Sequence, residues 1–530
     1  MELKSTESTT DGAFHALLAN RGPFLAAAVA AAAAAPSLGL PFQSDDWIHT
    51  LDVSEGSILT TSFNFFRPLC SLTYWIDWQI WGMRAAPFHL TNVLLAAATA
   101  AMVVVLARRY TGDAVLATTA GIVFALHPYH IGAVAWISAR SDLLSAVLLL
   151  IAAWAFDRWR DRASRVPILS LVLYESAMLA KESAVVLPAF LIVVELLGRR
   201  RRLAASGWLR AYLPLLLVGL AHFTVVRATV LEGVSLNHLK WIGEWRGSLL
   251  SYGASAVVPA PPELLQERPW FWGALAAVVT GGLLLAALLR TRRVPPVIWP
   301  SAVVFVALLG PSLIGFKERY FFLPSAAGAM ALAALLRAAG ARVGGAVAGL
   351  LLVAWLVSGV ERWTGWYVSA RASERFMNGL VQASQPPDLQ RVVVAGAPHR
   401  VHGVPVTTDY SRVVPFLGGR EVAVRTATEF DYPSDRGDAL AAPGSSAVRR
   451  TADHVELLLS VGRGPYSRCV LPRFVDGADL VVEDWATVFR EGRDSMRVRI
   501  PRRQGTRAYV WKNGNLVPLP LPGETAESIQ

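Results

Sequence analysis

Two adjacent carboxylates follow the first long apolar stretch of the chain. Asp45 and Asp46 stand in "SDDWIHT", shortly after "FLAAAVAAAAAAPSLGL". Acids close to hydrocarbon are costly, so an acid pair at this place is a candidate functional site. One carboxylate of such a pair can act as a general base while the other orients it. Two alternatives stay open: an oxygen-ligand pair for Mg²⁺ or Mn²⁺, and a hydrated loop that only ends the first helix.

Two pairs of cations and acids stand between apolar stretches further along the chain. They are Lys181-Glu182 in "LAKES" and Lys317-Glu318-Arg319 in "FKERYFF". Arginine offers a planar fork that matches phosphate, and lysine offers a point charge, so both motifs predict a site for an anionic phosphate. The alternative, which fits the two glutamates best, is mutual ion pairing that holds spans together.

A further group of polar residues lies in "ALHPYHIGAVAWISARSDLLSA". His127, His130, Arg140 and Asp142 fall within sixteen positions of one another. The two histidines have metal-ligand spacing, but Pro128 between them disfavours a shared ligand face. We interpret Arg140 and Asp142 as a polar cluster that faces a cavity, with Arg140 contacting phosphate.

Arg67 precedes an aromatic-rich stretch, "PLCSLTYWIDWQIW". Pro68 is typical of a helix start, and the aromatic residues predict a helix that lies along the membrane interface. Arg67 is therefore a supporting candidate for phosphate contact, or a surface cation that touches lipid.

These motifs must be positioned by membrane helices. The chain has 530 residues, of which 54% are hydrophobic and 17% charged, and its mean hydropathy is +0.41. A helix that crosses a bilayer needs roughly 17–25 apolar residues. Apolar stretches predict about eleven spans, at residues 22–40, 88–107, 113–126, 142–157, 166–180, 183–198, 209–226, 271–289, 296–315, 321–337 and 343–360.

Arginine clusters fall in every second connection between these spans. They lie at residues 108–109, 158–165, 199–210, 290–293 and 337–342. The positive-inside rule makes that side cytoplasmic, which leaves the acid pair and both Lys-Glu motifs on the outer side. The net charge of +11 is thus interpreted as a topology signal and not as a nucleic-acid surface.

The last third of the chain has a different composition. Short β-type runs such as "RVVVAGAP" and "HVELLLSV" alternate with turn residues, and Asn513-Gly514 predicts a two-residue hairpin. We therefore predict three parts: a cytoplasmic amino terminus at 1–21, a transmembrane body at 22–360, and an extracytoplasmic β-rich domain at 361–530.

Taken in order, "DDW", "RPL", "FHLTNVLL", "AVAWIS", "RSDLL", "LAKES" and "ERYFFLPS" resemble the polytopic glycosyltransferases of the GT-C superfamily. The resemblance covers roughly residues 40–330, and it is to bacterial relatives of the TMTC-type and protein O-mannosyltransferase-like enzymes. It implies a GT-C-like body in a bacterial inner membrane. It also implies transfer of a sugar, usually with inversion, from a polyprenyl-phosphate donor to a protein, lipid or glycan acceptor.

The resemblance implies that Asp45 and Asp46 match the acidic motif of the first outer loop. A leaving lipid phosphate would then be held by Arg140, Lys181, Lys317 and Arg319. The chain lacks the tetratricopeptide repeats of the TMTC-type proteins and a β-trefoil insert, so the acceptor is not carried over. A transporter or flippase and a non-catalytic membrane scaffold remain the alternative functions.

Overall fold

The structure is a computed structural model. It describes residues 20–59, 66–162, 166–197, 205–229, 245–310, 317–402, 404–406, 408–432, 448–460, 468–470, 480–490 and 495–524. The chain forms two compact units. The first contains Met1–Gly39 and Asp52–Arg362, and the second contains Leu40–Leu51 and Trp363–Gln530.

The chain is mainly helical up to residue 383. In chain order the helices are α1 (Asn20–Gly39), α2 (Asp46–Ser54), α3 (Pro68–Trp81), α4 (Ala85–Thr111), α5 (Ala114–Ala125), α6 (His130–Ala135), α7 (Arg140–Arg162), α8 (Ile168–Ala180), α9 (Leu187–Leu197), α10 (Ala205–Thr229), α11 (Trp245–Ser255), α12 (Pro262–Glu267), α13 (Pro269–Thr291), α14 (Ile298–Leu309), α15 (Ser325–Ala383) and α16 (Tyr410–Phe416). Short 3₁₀ turns at Ile137–Ala139, Glu182–Val186 and Glu318–Phe321 precede α7, α9 and α15.

The length and apolar composition of the helices indicate a polytopic membrane protein. Within the described residues, six of them are long and apolar enough to cross a bilayer: α1, α4, α7 with its preceding turn, α10, α13 and α15. Three shorter apolar helices are α5, α8 and α14. Every predicted span overlaps a helix, although residues 311–315 of the span 296–315 and residue 198 of the span 183–198 lie outside the described residues. The total of eleven spans stays a prediction because several of these helices are shorter than a bilayer requires.

Ion pairs join the arginine-rich helix ends of the first unit. Arg109 near the end of α4 pairs with Asp157 and Asp161 near the end of α7. Arg337 in α15 pairs with Asp113, the residue that caps α5. These ion pairs join segments that are far apart in the chain but lie at the same end of the helices. The alternation of arginine clusters predicts such an arrangement.

A backbone break divides α15. Gly340 has φ of 89° and ψ of 169°, which only glycine adopts without strain. A Cβ at this position would lie 2.8 Å from the Nη1 atom of Arg290. Leu332 and Leu336, before the break, share one core cluster with Trp355, after it. The two halves therefore pack together, which accounts for the two separate spans predicted at 321–337 and 343–360.

The second unit carries the strands. In chain order they are β1 (Arg391–Ala395), β2 (Ala397–Val401), β3 (Val404–Pro405), β4 (Ala423–Thr426), β5 (Glu429–Tyr432), β6 (Val448–Arg450), β7 (His454–Ser460), β8 (Arg468–Val470), β9 (Leu480–Val482), β10 (Thr487–Arg490), β11 (Ser495–Pro501), β12 (Thr506–Lys512) and β13 (Asn515–Leu519). They form three sheets, ordered β13-β12-β1-β4, β6-β7-β11-β10-β9 and β3-β2-β5-β8.

The predicted hairpin joins β12 and β13. Asn513 and Gly514 both have positive φ, at 51° and 75°, as a two-residue turn with matching twist requires. Strand β1 pairs in parallel with β12 and with β4, and helix α16 lies between β1 and β4 in the chain. Phe376 of α15 packs its ring 5.4 Å from Trp511 on β12. The predicted strand-rich character of the tail is confirmed.

Candidate functional site

Three of the predicted phosphate ligands come together around one tyrosine ring. The Nζ atom of Lys181 lies 4.5 Å from the centre of the Tyr320 ring, and that of Lys317 lies 5.8 Å from it. The guanidinium carbon of Arg319 lies 5.2 Å from the same ring. The 3₁₀ turn at Glu318–Phe321 brings the last two cations to the Lys181 side, so two motifs separated by more than 130 positions form one site.

The phenol of Tyr320 reports the positive charge of this site. Burial by itself would raise the pKa of Tyr320. The charges of Arg319, Lys181 and Lys317 outweigh burial and hold the pKa below its usual value. Positive potential at the ring is therefore not cancelled by the neighbouring acids, which is the condition for binding an anion.

Asp142 anchors two of these cations. Its Oδ1 atom pairs with the Nζ atom of Lys181, and its Oδ2 atom lies 3.8 Å from Nε of Arg319. The guanidinium of Arg319 also lies 4.5 Å above the ring of Trp136. Asp142 and Trp136 thus fix the plane and position of Arg319 and leave part of its fork facing outward.

Arg67 joins the site through Glu182. Its Nε and Nη2 atoms donate to the two carboxylate oxygens at 2.9 and 2.6 Å, a bidentate pair across 115 positions of sequence. Burial would raise the pKa of Glu182, but the charge and hydrogen bonds of Arg67 lower it to about 2. The prediction that Glu182 makes an ion pair between distant segments therefore agrees with the geometry.

The site has four cationic members, named here the cation cluster: Arg67, Lys181, Lys317 and Arg319. Among the described contacts of the cluster, Glu182 pairs with Arg67, and Asp142 pairs with Lys181 and lies near Arg319. Lys317 is its most exposed cation. The arrangement can bind one phosphate group and stabilise a growth of negative charge on it.

Glu318 turns away from this cluster. It pairs with the guanidinium of Arg362, which is buried over the ring of Tyr129 at 4.1 Å. A side chain at Gly132 would collide with the Glu318 carboxylate, so close packing requires glycine there. The acid that separates Lys317 and Arg319 in sequence thus forms its ion pair with Arg362.

Arg140 does not have the predicted phosphate-binding position. Its side chain is fully buried and pairs with Asp77, with 2.7 Å between Nη1 and Oδ2. Its other hydrogen bonds go to the Asn92 side chain, the Phe88 carbonyl and the Thr73 hydroxyl. A guanidinium with these partners and no exposed surface has no donor to offer a ligand, so we correct its role to a structural one.

His127 and His130 are also structural. The Nε2 atom of His127 donates to the Ser255 carbonyl at 2.9 Å, and burial lowers the pKa of His127 to about 3. The Nε2 atom of His130 lies 2.8 Å from the Ser325 hydroxyl. Aromatic rings enclose both histidines. Within the described residues there is no cluster of three His, Cys, Asp or Glu residues with metal-site geometry, and the Mg²⁺ or Mn²⁺ hypothesis stays open.

Asp45 and Asp46 belong to the second unit, in which Asp46 is the first residue of α2 and Asp45 precedes the helix. Asp46 is fully buried, and its Oδ2 atom accepts the Gln43 backbone N–H at 3.2 Å. Asp45 is only partly buried. Asp45 is therefore the more exposed of the two carboxylates. That the pair faces the cation cluster remains a prediction.

Sequence reasoning missed Trp136, Tyr320, Tyr74 and Asp77. Tyr320 stands next to Arg319 in the motif, and an aromatic residue beside a predicted phosphate ligand was a usable signal. Asp77 was visible as one acid within the aromatic stretch "WIDWQIW". Tyr74 and Trp136 gave no signal, because aromatic residues are common at membrane interfaces.

Comparisons with known proteins bear on this geometry. No protein-family model matches the chain. Segments of it align with protein O-mannosyl-transferase Tmtc1 of Drosophila melanogaster, at 34% identity over 125 residues, and with TMTC1 of Homo sapiens, at 32% identity over 172 residues. The chain is similar to the TMTC proteins. The predicted resemblance is thereby confirmed at the level of sequence.

The similarity is local in both directions. It covers 23% of this chain and 15% of the Drosophila protein, and 29% of this chain and 18% of the human protein. Among solved structures, ArnT from Cupriavidus metallidurans bound to undecaprenyl phosphate aligns over 90% of this chain and 97% of its own. The sequence identity is 15% and the TM-score is 0.33, which is too low to establish a common fold.

Proposed function

We propose that this protein is a GT-C-type membrane glycosyltransferase. In the proposed reaction a sugar moves from a polyprenyl-phosphate donor to an acceptor hydroxyl outside the cytoplasm. The observation that carries the proposal is the convergence of Lys181, Lys317 and Arg319 around the Tyr320 ring. The similarity to proteins named O-mannosyl-transferases supports the same reaction class.

The proposed chemistry assigns the cluster to the leaving group. The acceptor oxygen attacks the anomeric carbon and loses its proton to a carboxylate, for which Asp45 or Asp46 is the candidate. The bond between the anomeric carbon and the phosphate oxygen breaks, and the phosphate leaves with the electron pair. The phosphate gains one negative charge in this step. Lys317 and Arg319 therefore stabilise the leaving phosphate more strongly than they stabilise the phosphate of the bound donor. Attack opposite the phosphate would invert the anomeric centre.

The test is release of free polyprenyl phosphate by the purified protein. The wild type is incubated with a panel of polyprenyl-phosphate sugars and a lysate of acceptor proteins and glycans. Arg319→Ala is expected to lower release by about 10²-fold, as for loss of a charge that stabilises a transition state. Arg268→Ala, which removes an exposed arginine between α12 and α13, is the matched control.

The outcome separates the candidate functions. A flippase would move the lipid without breaking the sugar–phosphate bond, and a scaffold would do neither. Transport of an intact labelled donor across vesicles without release of polyprenyl phosphate would contradict the transferase and favour a flippase.

A further inference from the structure

The irregular segment between α6 and α7, together with the first turn of α7, carries two residues that hold the cation cluster. Trp136 stacks on Arg319, and Asp142 pairs with Lys181. The segment leaves the helical conformation at Trp136, whose φ and ψ are −94° and 112°, before the short turn at Ile137–Ala139. Backbone carbonyls at such a break lose their helical partners and require other donors when they are buried.

Two buried side chains supply those donors. Asn92 of α4 donates from Nδ2 to the carbonyl oxygens of Val134 and Trp136, at 3.4 and 3.2 Å. Tyr74 of α3 donates from Oη to the carbonyl oxygen of Ile137, at 2.9 Å. The carbonyl oxygens of Val134, Trp136 and Ile137 thus accept hydrogen bonds from side chains of two other helices. Those of Trp136 and Ile137 also accept the backbone N–H groups of Ala139 and Arg140.

Arg140 ties these two side chains together. Its Nε atom donates to Oδ1 of Asn92 at 3.0 Å, and its guanidinium carbon lies 4.5 Å from the centre of the Tyr74 ring. The Nη1 atom pairs with Asp77, whose carboxylate also accepts the Thr91 hydroxyl at 3.1 Å. Asn92 and Arg140 are fully buried, and Tyr74 is 2% exposed, so they do not contact a ligand at the surface.

We infer that Asn92, Tyr74 and Arg140 form a positioning network for the phosphate site, and this inference rests on the proposed function. The network fixes the backbone at 134–140, and that backbone fixes the Trp136 ring and the Asp142 carboxylate. Trp136 lies under the Arg319 guanidinium and orients it, and Asp142 holds the Lys181 ammonium in place. The network therefore controls affinity for the donor phosphate without touching it.

The inference is tested by donor affinity in variants of the full-length protein. Tyr74→Phe removes one hydroxyl and keeps the ring beneath Arg140. It is expected to weaken binding of undecaprenyl phosphate, used as the probe, by about 3- to 10-fold, the usual effect of one lost hydrogen bond. The kcat/KM for a polyprenyl-phosphate sugar is expected to fall by at least the same factor, with part of the fall in kcat, because Arg319 also stabilises the leaving phosphate.

Thr99→Val is the matched control. Thr99 is a buried residue of α4 whose hydroxyl donates at 2.8 Å to the Leu95 carbonyl of its own helix. This variant is expected to shift the melting temperature about as much as Tyr74→Phe and to leave binding of undecaprenyl phosphate unchanged. A purely structural role for Tyr74 would move the melting temperature in both variants and the affinity in neither. Asn92→Ala is a second, stronger network variant.

The results also distinguish this inference from the proposed function. If Tyr74→Phe and a folded Asn92→Ala bind undecaprenyl phosphate like the wild type while Arg319→Ala does not, the positioning network is wrong and the phosphate site stands. If Arg319→Ala and Lys317→Ala both bind it like the wild type, the phosphate site itself is wrong, and the inference fails with it.

Discussion

At the scale of single residues, Asp45 and Asp46 differ although they are neighbours. Asp46 starts α2 fully buried, and its carboxylate accepts the Gln43 backbone N–H in the turn before the helix. Its negative charge lies at the amino end of α2, where the helix dipole favours it. Asp45 is partly exposed and so better able to meet an acceptor hydroxyl. The burial pattern thus favours Asp45 as the proposed base, because Asp45 is the more exposed of the two carboxylates.

The first prediction separates these roles. Asp45→Asn is expected to lower turnover about 10²- to 10⁴-fold, because the general base is lost. Asp46→Asn is expected to lower the melting temperature, because it weakens the first turn of α2. Release of polyprenyl phosphate and thermal unfolding in detergent measure the two effects. Wild-type turnover in both variants would show that neither carboxylate is the base and that the pair has only a structural role next to a helix.

Glu182 holds the fork of Arg67 in the described structure. We predict that Glu182→Gln tightens binding of undecaprenyl phosphate, because the variant removes one negative charge from the site. Two charges about 8 Å apart at an effective dielectric of about 40 interact by about 1 kcal/mol, or roughly fivefold in affinity. Titration of the lipid in detergent at low salt is the measurement.

The pH dependence of this effect follows from the lowered pKa of Glu182. A carboxylate with a pKa of about 2 stays charged as the pH falls past the usual carboxyl range, and its ion pair is lost only near pH 2. Between pH 5 and pH 8 the gain from Glu182→Gln is therefore expected to follow only the second ionisation of the lipid phosphate, whose pKa is about 6, and to be larger at pH 8 than at pH 5. A gain that disappears below pH 5, or a loss of affinity at every pH, would contradict this role.

At the scale of elements, the break in α15 depends on one glycine. Gly340→Ala is expected to destabilise the protein by about 1–3 kcal/mol, because alanine is strained at positive φ and its Cβ would crowd Arg290. Gly345, five residues later in the helix, has open space around its Cβ position. Gly345→Ala is therefore expected to be neutral or stabilising by up to about 1 kcal/mol.

Thermal unfolding in one detergent measures both glycine variants. If Gly340→Ala melts like the wild type, residues 325–383 tolerate a continuous helix and the two predicted spans merge. If both variants destabilise equally, the effect belongs to the helix surface and not to the break.

At the scale of the whole molecule, the arginine clusters predict the orientation in the membrane. The end of α4 at Arg109 is expected to be cytoplasmic and the residues after α15 to be outside. Alkaline phosphatase fused after residue 370 is expected to be active and green fluorescent protein at the same place to be dark. Fusions after residue 110 are expected to give the opposite pattern. Activity of the phosphatase only at residue 110 would invert the orientation.

The sequence by itself determined the helices and the ends at which the motifs lie. Runs of apolar residues and arginine-rich connections placed Lys181, Lys317 and Arg319 at the same helix ends, because each further crossing of the membrane reverses the chain. Their convergence around Tyr320 was predictable for that reason. The hairpin at Asn513-Gly514 was predictable too, since two residues at positive φ define the turn locally.

Only the tertiary structure decided which charged side chains form ion pairs with one another. Arg140 was expected at the phosphate and lies buried against Asp77, 63 positions away. Glu318 and Arg319 are adjacent, yet one pairs with Arg362 and the other stacks on Trp136. Spacing along the chain fixes the end of a helix at which a side chain lies, but the direction in which it points depends on neighbouring helices. Those neighbours come from distant parts of the sequence, and their packing sets the pairs.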